Sequence, residues 1–220
     1  MPALIIADDH PLFRSALEQV FRLRFPDMEI VTAADVANLQ TVVEQQRDVA
    51  IVLLDLNMPG AHGFSALSWL TGQRPETPVV VVSANTLPET VRRALDHGAA
   101  GFISKSADTE VLEQGVAAVL EGARGIHPGL DVSSRGAELK ALDVAEALGS
   151  LTPSQFRVAS MLAEGLLNKQ IAYELDVKEA TIKAHMTEIF RKLGVNSRTQ
   201  AVLALASLAV EPGADDRAVS

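Results

Sequence analysis

Residues 49–60 read VAIVLLDLNMPG. Six apolar residues without alternation, closed by Asp55 and a Pro-Gly turn, predict a strand covered on both faces with an acid at its C-terminal end. Residues 78–83, PVVVVS, repeat the pattern with Ser83 in place of the acid. Working outward, shorter runs at 4–7, 29–33 and 100–103 are further strand candidates. Amphipathic stretches near 11–24, 35–46, 64–73, 87–97 and 107–121 alternate with them, and the first groups Leu12, Phe13, Ala16, Leu17, Val20 and Phe21 on one face. This rhythm predicts an α/β domain over 1–121 with a five-stranded, doubly wound parallel sheet.

The chain has 220 residues, 48% of them apolar, enough for two modest domains with a core each. Cysteine is absent, which excludes disulfide frameworks, thiolate metal sites and cysteine nucleophiles and points to a reducing, cytoplasmic setting. MPALIIADDH lacks a basic leader and the apolar run 201–210 is too short to span a bilayer, so neither secretion nor a membrane partner is expected. A net charge of −9 argues against a nucleic-acid binder, but the charge is uneven. Residues 1–125 hold nine Lys and Arg against sixteen Asp and Glu, whereas 150–210 hold seven against five. So small an excess makes DNA binding a matter of motif and geometry.

Residues 122–149 are rich in Gly, Ser and Ala and read as a linker, with a short helix in AELKALDVAEAL at 137–148. Beyond it the strand signals stop. Thr152-Pro153-Ser154-Gln155 and Ser197-Arg198-Thr199-Gln200 are capping boxes that start helices. Helices are expected near 153–164, 168–175, 179–193 and 198–209, a four-helix domain over 150–210, and 211–220 reads as a solvated tail.

Ligands collect at the carboxyl ends of the strands in an open α/β sheet. Asp8 and Asp9 follow the first strand, Asp55 ends the third, Ser83 the fourth, and Lys105 follows the fifth. Singly, Asp9 reads as a helix cap, Ser83 as a turn residue and Lys105 as solvated. Together they make a site. Three converging carboxylates repel, and an all-oxygen cluster finds relief in Mg²⁺. Beside that charge Asp55 can attack a phosphoryl group, with Lys105 and the Ser83 hydroxyl as donors, giving an acyl phosphate. A phosphatase of the haloacid dehalogenase type also sets an aspartate after a buried strand, but it needs a second acid two residues on, where this chain has Asn57.

ADDH at 7–10, LLDLNMPG at 53–60, VVVVSAN at 79–85 and GFISK at 101–105 resemble, in order and spacing, the signature of response-regulator receiver domains. The resemblance implies that Asp55 is the phosphoacceptor, that Asp8, Asp9, Asp55 and the Asn57 carbonyl hold Mg²⁺, and that Ser83 and Phe102 are the switch pair. Ser106 stands where many receivers have a cis-proline.

LTP at 151–153, AEG at 163–165, NKQIA at 168–172, TIKAH at 181–185, KLGV at 192–195 and SRTQA at 197–201 resemble the four-helix, helix-turn-helix domain of the LuxR/FixJ/NarL regulators. Along 179–193, Ile182, Met186, Ile189 and Leu193 recur at helical spacing with Phe190 beside them. Lys183, Ala184 and Thr187 face the other way, flanked by His185 and Arg191. Laid in the major groove, that face meets base edges and phosphates. The resemblance adds Asn168, Lys169 and Lys178 to the DNA set and makes 198–209, with Val202, Leu205 and Ala206, the dimerisation helix. Leu167 and Lys178 stand where relatives usually have a hydroxyl N-cap, and Asn168 could take over the first cap by starting its helix one residue later.

The reading implied for the whole chain is a transcription regulator, not an enzyme beyond Mg²⁺-dependent phosphoryl transfer to and hydrolysis from Asp55. Its partners would be a histidine kinase, double-stranded promoter DNA, a second copy when phosphorylated, and RNA polymerase. The alternative is a receiver acting through protein contacts alone.

Overall fold

The computed structural model describes residues 1–130 and 139–209. Strands β1 (Ala3–Ala7), β2 (Glu29–Ala33), β3 (Val49–Leu54), β4 (Val79–Ser83) and β5 (Gly101–Ser104) form one parallel sheet in the order β2-β1-β3-β4-β5. Helices α1 (Pro11–Arg24), α2 (Val36–Gln45), α3 (Ser65–Gln73), α4 (Pro88–Asp96) and α5 (Thr109–Leu120) cross between the strands or follow the last. Successive strand side chains point to opposite faces, so each central strand feeds two cores. Leu4, Ile6, Leu53 and Val80 pack with Leu17, Phe21 and Val116 of α1 and α5, whereas Ile5, Val52 and Val81 pack with Leu39, Leu67 and Val91 of α2, α3 and α4.

The apolar stripe of α1 is narrower than expected. Leu12 is 88% exposed and Ala16 is also exposed, leaving Phe13, Leu17, Val20 and Phe21 against the sheet. At about 100° per residue, Leu12 and Ala16 both fall more than a quarter turn from Leu17, so their apolar character does not bring them onto the buried face.

The linker contains α6 (Leu139–Gly149), and this helix docks across α3. The first residues of the helix expected there, 137 and 138, lie outside the described residues, as does the tail 211–220. Four helices follow: α7 (Pro153–Ala163), α8 (Asn168–Glu174), α9 (Glu179–Lys192) and α10 (Arg198–Ala206). The first box closes as expected, with Thr152 Oγ1 accepting from Gln155 N–H at 3.3 Å and Gln155 Oε1 accepting from Thr152 N–H at 3.2 Å. The second closes by half. Ser197 Oγ accepts from Gln200 N–H, but Gln200 Oε1 takes the Asn196 N–H instead of that of Ser197. Among the described residues no helix is long and apolar enough to cross a membrane.

The two domains share a core. Trp69, Leu148, Leu151, Phe156, Leu205 and Leu208 are all buried and belong to the same cluster as the α2–α4 side of the sheet. The Trp69 indole donates to Leu151 O at 3.2 Å, its ring lies 5.8 Å from that of Phe156, and Gln73 Nε2 donates to Gly149 O at 2.8 Å.

Candidate functional site

Backbone bonds at the strand ends assemble the acidic cluster. Asp55 N–H donates to Ala7 O at 2.9 Å, Asp8 N–H to Ala33 O at 3.0 Å, and Lys105 N–H to Ser83 O at 2.9 Å. These bonds bring residues far apart in the chain to one edge of the sheet. Asp8 and Asp55 are buried, and the Lys105 ammonium bridges them, 2.7 Å from Asp8 Oδ2 and 2.9 Å from Asp55 Oδ2. Lys105 reaches this position with Ser106 after it and no cis peptide among the described residues.

Burial pushes the Asp55 carboxyl above its ordinary value; Lys105 and the Asn57 amide pull it back, while Asp8 adds to the rise. For Lys105, burial alone would favour the neutral amine, but its bonds to Asp55 and Asp8 outweigh this and raise its pKa. Asp9 is half-buried, and its Oδ1 accepts no well-formed hydrogen bond among the described residues, although His10 Nδ1 lies 2.7 Å away. Ligand atoms of Asp8, Asp9, His10 and Asp55 all lie within 4.8 Å of one another. Several carboxylate oxygens drawn together, one lacking a donor, are a donor set suited to a hard divalent cation.

Ser83 is fully buried, its Oγ accepting from Asn85 N–H at 3.2 Å, and Phe102 is buried in the core, its backbone paired with Val81 two residues before Ser83. Asn57 is exposed on the loop after β3. Three neighbours were not anticipated. His10 Nδ1 stands 3.4 Å from Lys105 Nζ, the Phe13 ring centroid 5.3 Å from the same atom, and Arg14 donates to Asp8 O at 2.5 Å. Their signal lay in ADDHPLFR, because positions 10, 13 and 14 share the helix face that opens over the strand ends.

Residues 4–117 match the family described as response regulator receiver domain, and residues 149–205 match bacterial regulatory proteins, luxR family. The chain is a response regulator of the LuxR/NarL type. The glycerol metabolism activator of Pseudomonas putida is 39% identical over 208 residues, covering 92% of this regulator and 94% of that protein. The nitrate/nitrite response regulator NarP of Escherichia coli K12 is 31% identical, covering 91% and 92% of the two chains. In fold, the regulator resembles RcsB in the structure of the RcsB-DNA complex, with a TM-score of 0.55 at 24% identity over 94% of this chain and 99% of that one. The regulator is thus a DNA-binding transcription regulator under phosphorylation control in two-component signalling, and its main activity is not enzymatic.

In the regulator's C-terminal domain, Ile182, Met186 and Ile189 are buried, with Phe190 and Leu193 half-buried beside them. Lys183, Ala184, Thr187 and Arg191 are exposed, and His185 is half-buried at the margin. Lys183 pairs with Glu179 at 3.1 Å and Arg191 with Glu188 at 2.9 Å, surface pairs of little strength that a phosphate can displace. Lys169 and Lys178 are exposed. Asn168 does not cap α8 but is its first residue, and its Oδ1 faces Arg198 NH1 at 3.5 Å. Leu167 is the N-cap and is 63% exposed; only its backbone takes part, donating to Gln170 Oε1 at 2.8 Å. Lys178 caps α9 with no side-chain bond. Of the expected dimerisation residues, Ala206 is exposed, Val202 half-buried and Leu205 buried, the last among Phe156 and Ala159 of α7, Leu148 of α6, and His62 and Ser65 of the receiver.

Proposed function

We propose that Asp55 takes a phosphoryl group from a phosphohistidine of the partner kinase. The observation that most supports this is the Lys105 ammonium between the buried carboxylates of Asp55 and Asp8, since the same donor can turn to an oxygen of the arriving group. A carboxylate oxygen of Asp55 bonds to phosphorus, the phosphorus–nitrogen bond breaks, and its electron pair returns to the imidazole. Attack by water on the acyl phosphate later restores Asp55 and releases inorganic phosphate. Asp8, Asp9 and Asp55, whose carboxylate oxygens converge, would hold Mg²⁺ together with the Asn57 carbonyl, and the ion would supply charge neutralisation for the incoming group. The Ser83 hydroxyl donates to the phosphoryl oxygens, and Phe102 beneath it carries the change towards the α4–β5 surface.

In the C-terminal domain, Lys183, Ala184, His185, Thr187 and Arg191 on α9 meet base edges and phosphates of promoter DNA, helped by Asn168, Lys169 and Lys178. Val202, Leu205 and Ala206 of α10 serve a homodimer, in keeping with solved structures that describe RcsB as dimers on DNA. The protein works in the cytoplasm, where the bound dimer meets RNA polymerase.

Labelling with acetyl phosphate tests the site. Wild type should gain one phosphoryl group per chain in Mg²⁺ and none in EDTA, and Asp55→Asn should gain none. Mg²⁺-dependent labelling that persists in Asp55→Asn would overturn the assignment.

A further inference from the structure

The outermost line of α9 is a row of methyl groups. At about 100° per residue, Ala180, Ala184, Thr187 and Arg191 fall within a sector of about 60° opposite the buried Ile182, Met186 and Ile189. All four are exposed. Thr187 belongs to the row because its hydroxyl is folded back on the helix, where Oγ1 donates to Lys183 O at 3.1 Å, one turn earlier. The hydroxyl proton is thereby committed, and the γ-methyl is left as the outer group. Ala180, Ala184 and Thr187 are successive neighbours on the helix surface, four and then three residues apart, and Arg191 ends the row.

The cations beside the row are held by acids of the same helix. Lys183 Nζ lies 3.1 Å from Glu179 Oε1, and Arg191 offers Nε and one terminal nitrogen to Glu188 Oε2 at 3.1 and 2.9 Å. Ala180, Ala184 and Thr187 themselves present a base edge with no uncommitted proton donor. In the major groove the apolar group on a base edge is the C5-methyl of thymine, and the other groups there are hydrogen-bond donors or acceptors. A donor or acceptor pressed against a methyl loses its water without gaining a partner, whereas a thymine methyl loses only its contact with water.

We propose that Ala180, Ala184 and Thr187 determine specificity by packing on thymine C5-methyl groups, so that the preferred DNA site carries thymines under the centre of α9. This rests on the reading that α9 enters the major groove of promoter DNA, and it specifies what the helix selects there. Lys183 and Arg191, released from Glu179 and Glu188, hold phosphates beside the row and set affinity more than sequence.

Selection from a random duplex pool by the full-length protein, phosphorylated with acetyl phosphate, defines the preferred site. Its thymines are then replaced one at a time by deoxyuridine, which removes the methyl and nothing else. Affinity read by fluorescence anisotropy should fall about three- to five-fold at each position under the row and stay unchanged elsewhere. Thr187→Ser keeps the hydroxyl and lacks the methyl, so at one of these positions it should bind thymine and uracil equally. Thr187→Val keeps a methyl and lacks the hydroxyl, and it should still prefer thymine there. In Ala184→Gly the ratio of thymine to uracil affinities is read instead of affinity itself, since glycine also weakens the helix; that ratio should fall to one at a neighbouring position. A selected site at which uracil costs the wild type nothing overturns the proposal. So does a Thr187→Ser variant that keeps every preference of the wild type. Lys183→Ala separates this inference from the reading beneath it. If that variant binds all duplexes as tightly as wild type, α9 is not the interface and both fall; if it binds all of them more weakly while uracil has no effect, the methyl reading alone falls.

Discussion

Gly72 of α3 and Gly149 of α6 meet backbone to backbone, so that a Cβ built on Gly72 would lie 2.2 Å from Gly149 Cα and 2.6 Å from its carbonyl carbon and oxygen. No side chain fits there unless the helices part.

Gly72→Ala should therefore push α6 off α3. Alanine favours a helix over glycine by about 1 kcal/mol, so α3 itself should not suffer. Gly149→Ala is milder, since its Cβ would meet Gly72 Cα at 3.0 Å and Ser68 O at 3.1 Å. Trp69 quenching should rise in the order wild type, Gly149→Ala, Gly72→Ala, and the reverse order would contradict this account of the crossing.

Burial raises the proton affinity of the Asp55 carboxyl, and Lys105 limits that rise. Lys105→Met should move the Asp55 pKa further up. Carbon-13 NMR of labelled aspartate in metal-free protein would follow it, and a downward or absent shift would exclude Lys105 as the counter-charge. The same variant should lose at least ten-fold in labelling rate with acetyl phosphate.

His97 is buried against Phe64, and burial, helped by the charge of Arg93 and opposed by Asp96, lowers its pKa to about 4. The unfolded chain, with its histidine at the ordinary value of 6.5, takes up this proton first as pH falls. Stability from a neutral His97 is thus complete above about pH 6.5 and lost progressively on the way down to about pH 4. Melting temperatures between about pH 7.5 and 5 should fall less steeply in His97→Gln than in wild type. Parallel slopes would mean that His97 does not contribute.

Leu167 offers α8 no side-chain acceptor and is mostly exposed, so Leu167→Ser should add a cap at little cost in packing. A gain of about 1 kcal/mol is expected, seen in urea unfolding of the full chain, whereas Leu167→Ala should be neutral. Lys178→Ser should stabilise α9 similarly and reduce the salt slope for duplex DNA by up to about one phosphate contact. A destabilised Leu167→Ser would show that Leu167 makes a contact worth more than the cap.

The receiver was legible because its chemistry sits in contiguous motifs at strand ends: Asp8 and Asp9 after LIIA, Asp55 after VAIVLL, Lys105 after GFIS. The sheet register then has little choice but to bring them together. The seam was not legible, since each of its residues has an ordinary role within one domain. Arg93 reads as a surface charge on an amphipathic helix, Trp69 as core and Gly72 as a tolerated helix glycine. Only the docked geometry gives them partners. The same holds for α10, which ends at Ala206 and not at 209, with the carbonyls that follow taken by Arg93 and Phe64. For α1, counting apolar residues overestimated the stripe, because Leu12 lies off the face that meets the sheet.

The exposed reading face of α9 has a kinetic consequence. With Lys183, Thr187 and Arg191 exposed, a single molecule acting as proposed would sample duplex DNA through a few phosphate contacts, so its search for a promoter need not wait for a signal. Under the proposed homodimer, what the signal governs is an encounter between two molecules. At low expression the amount of paired regulator grows with the square of the phosphorylated pool, and halving the gene dosage cuts promoter occupancy about four-fold by mass action.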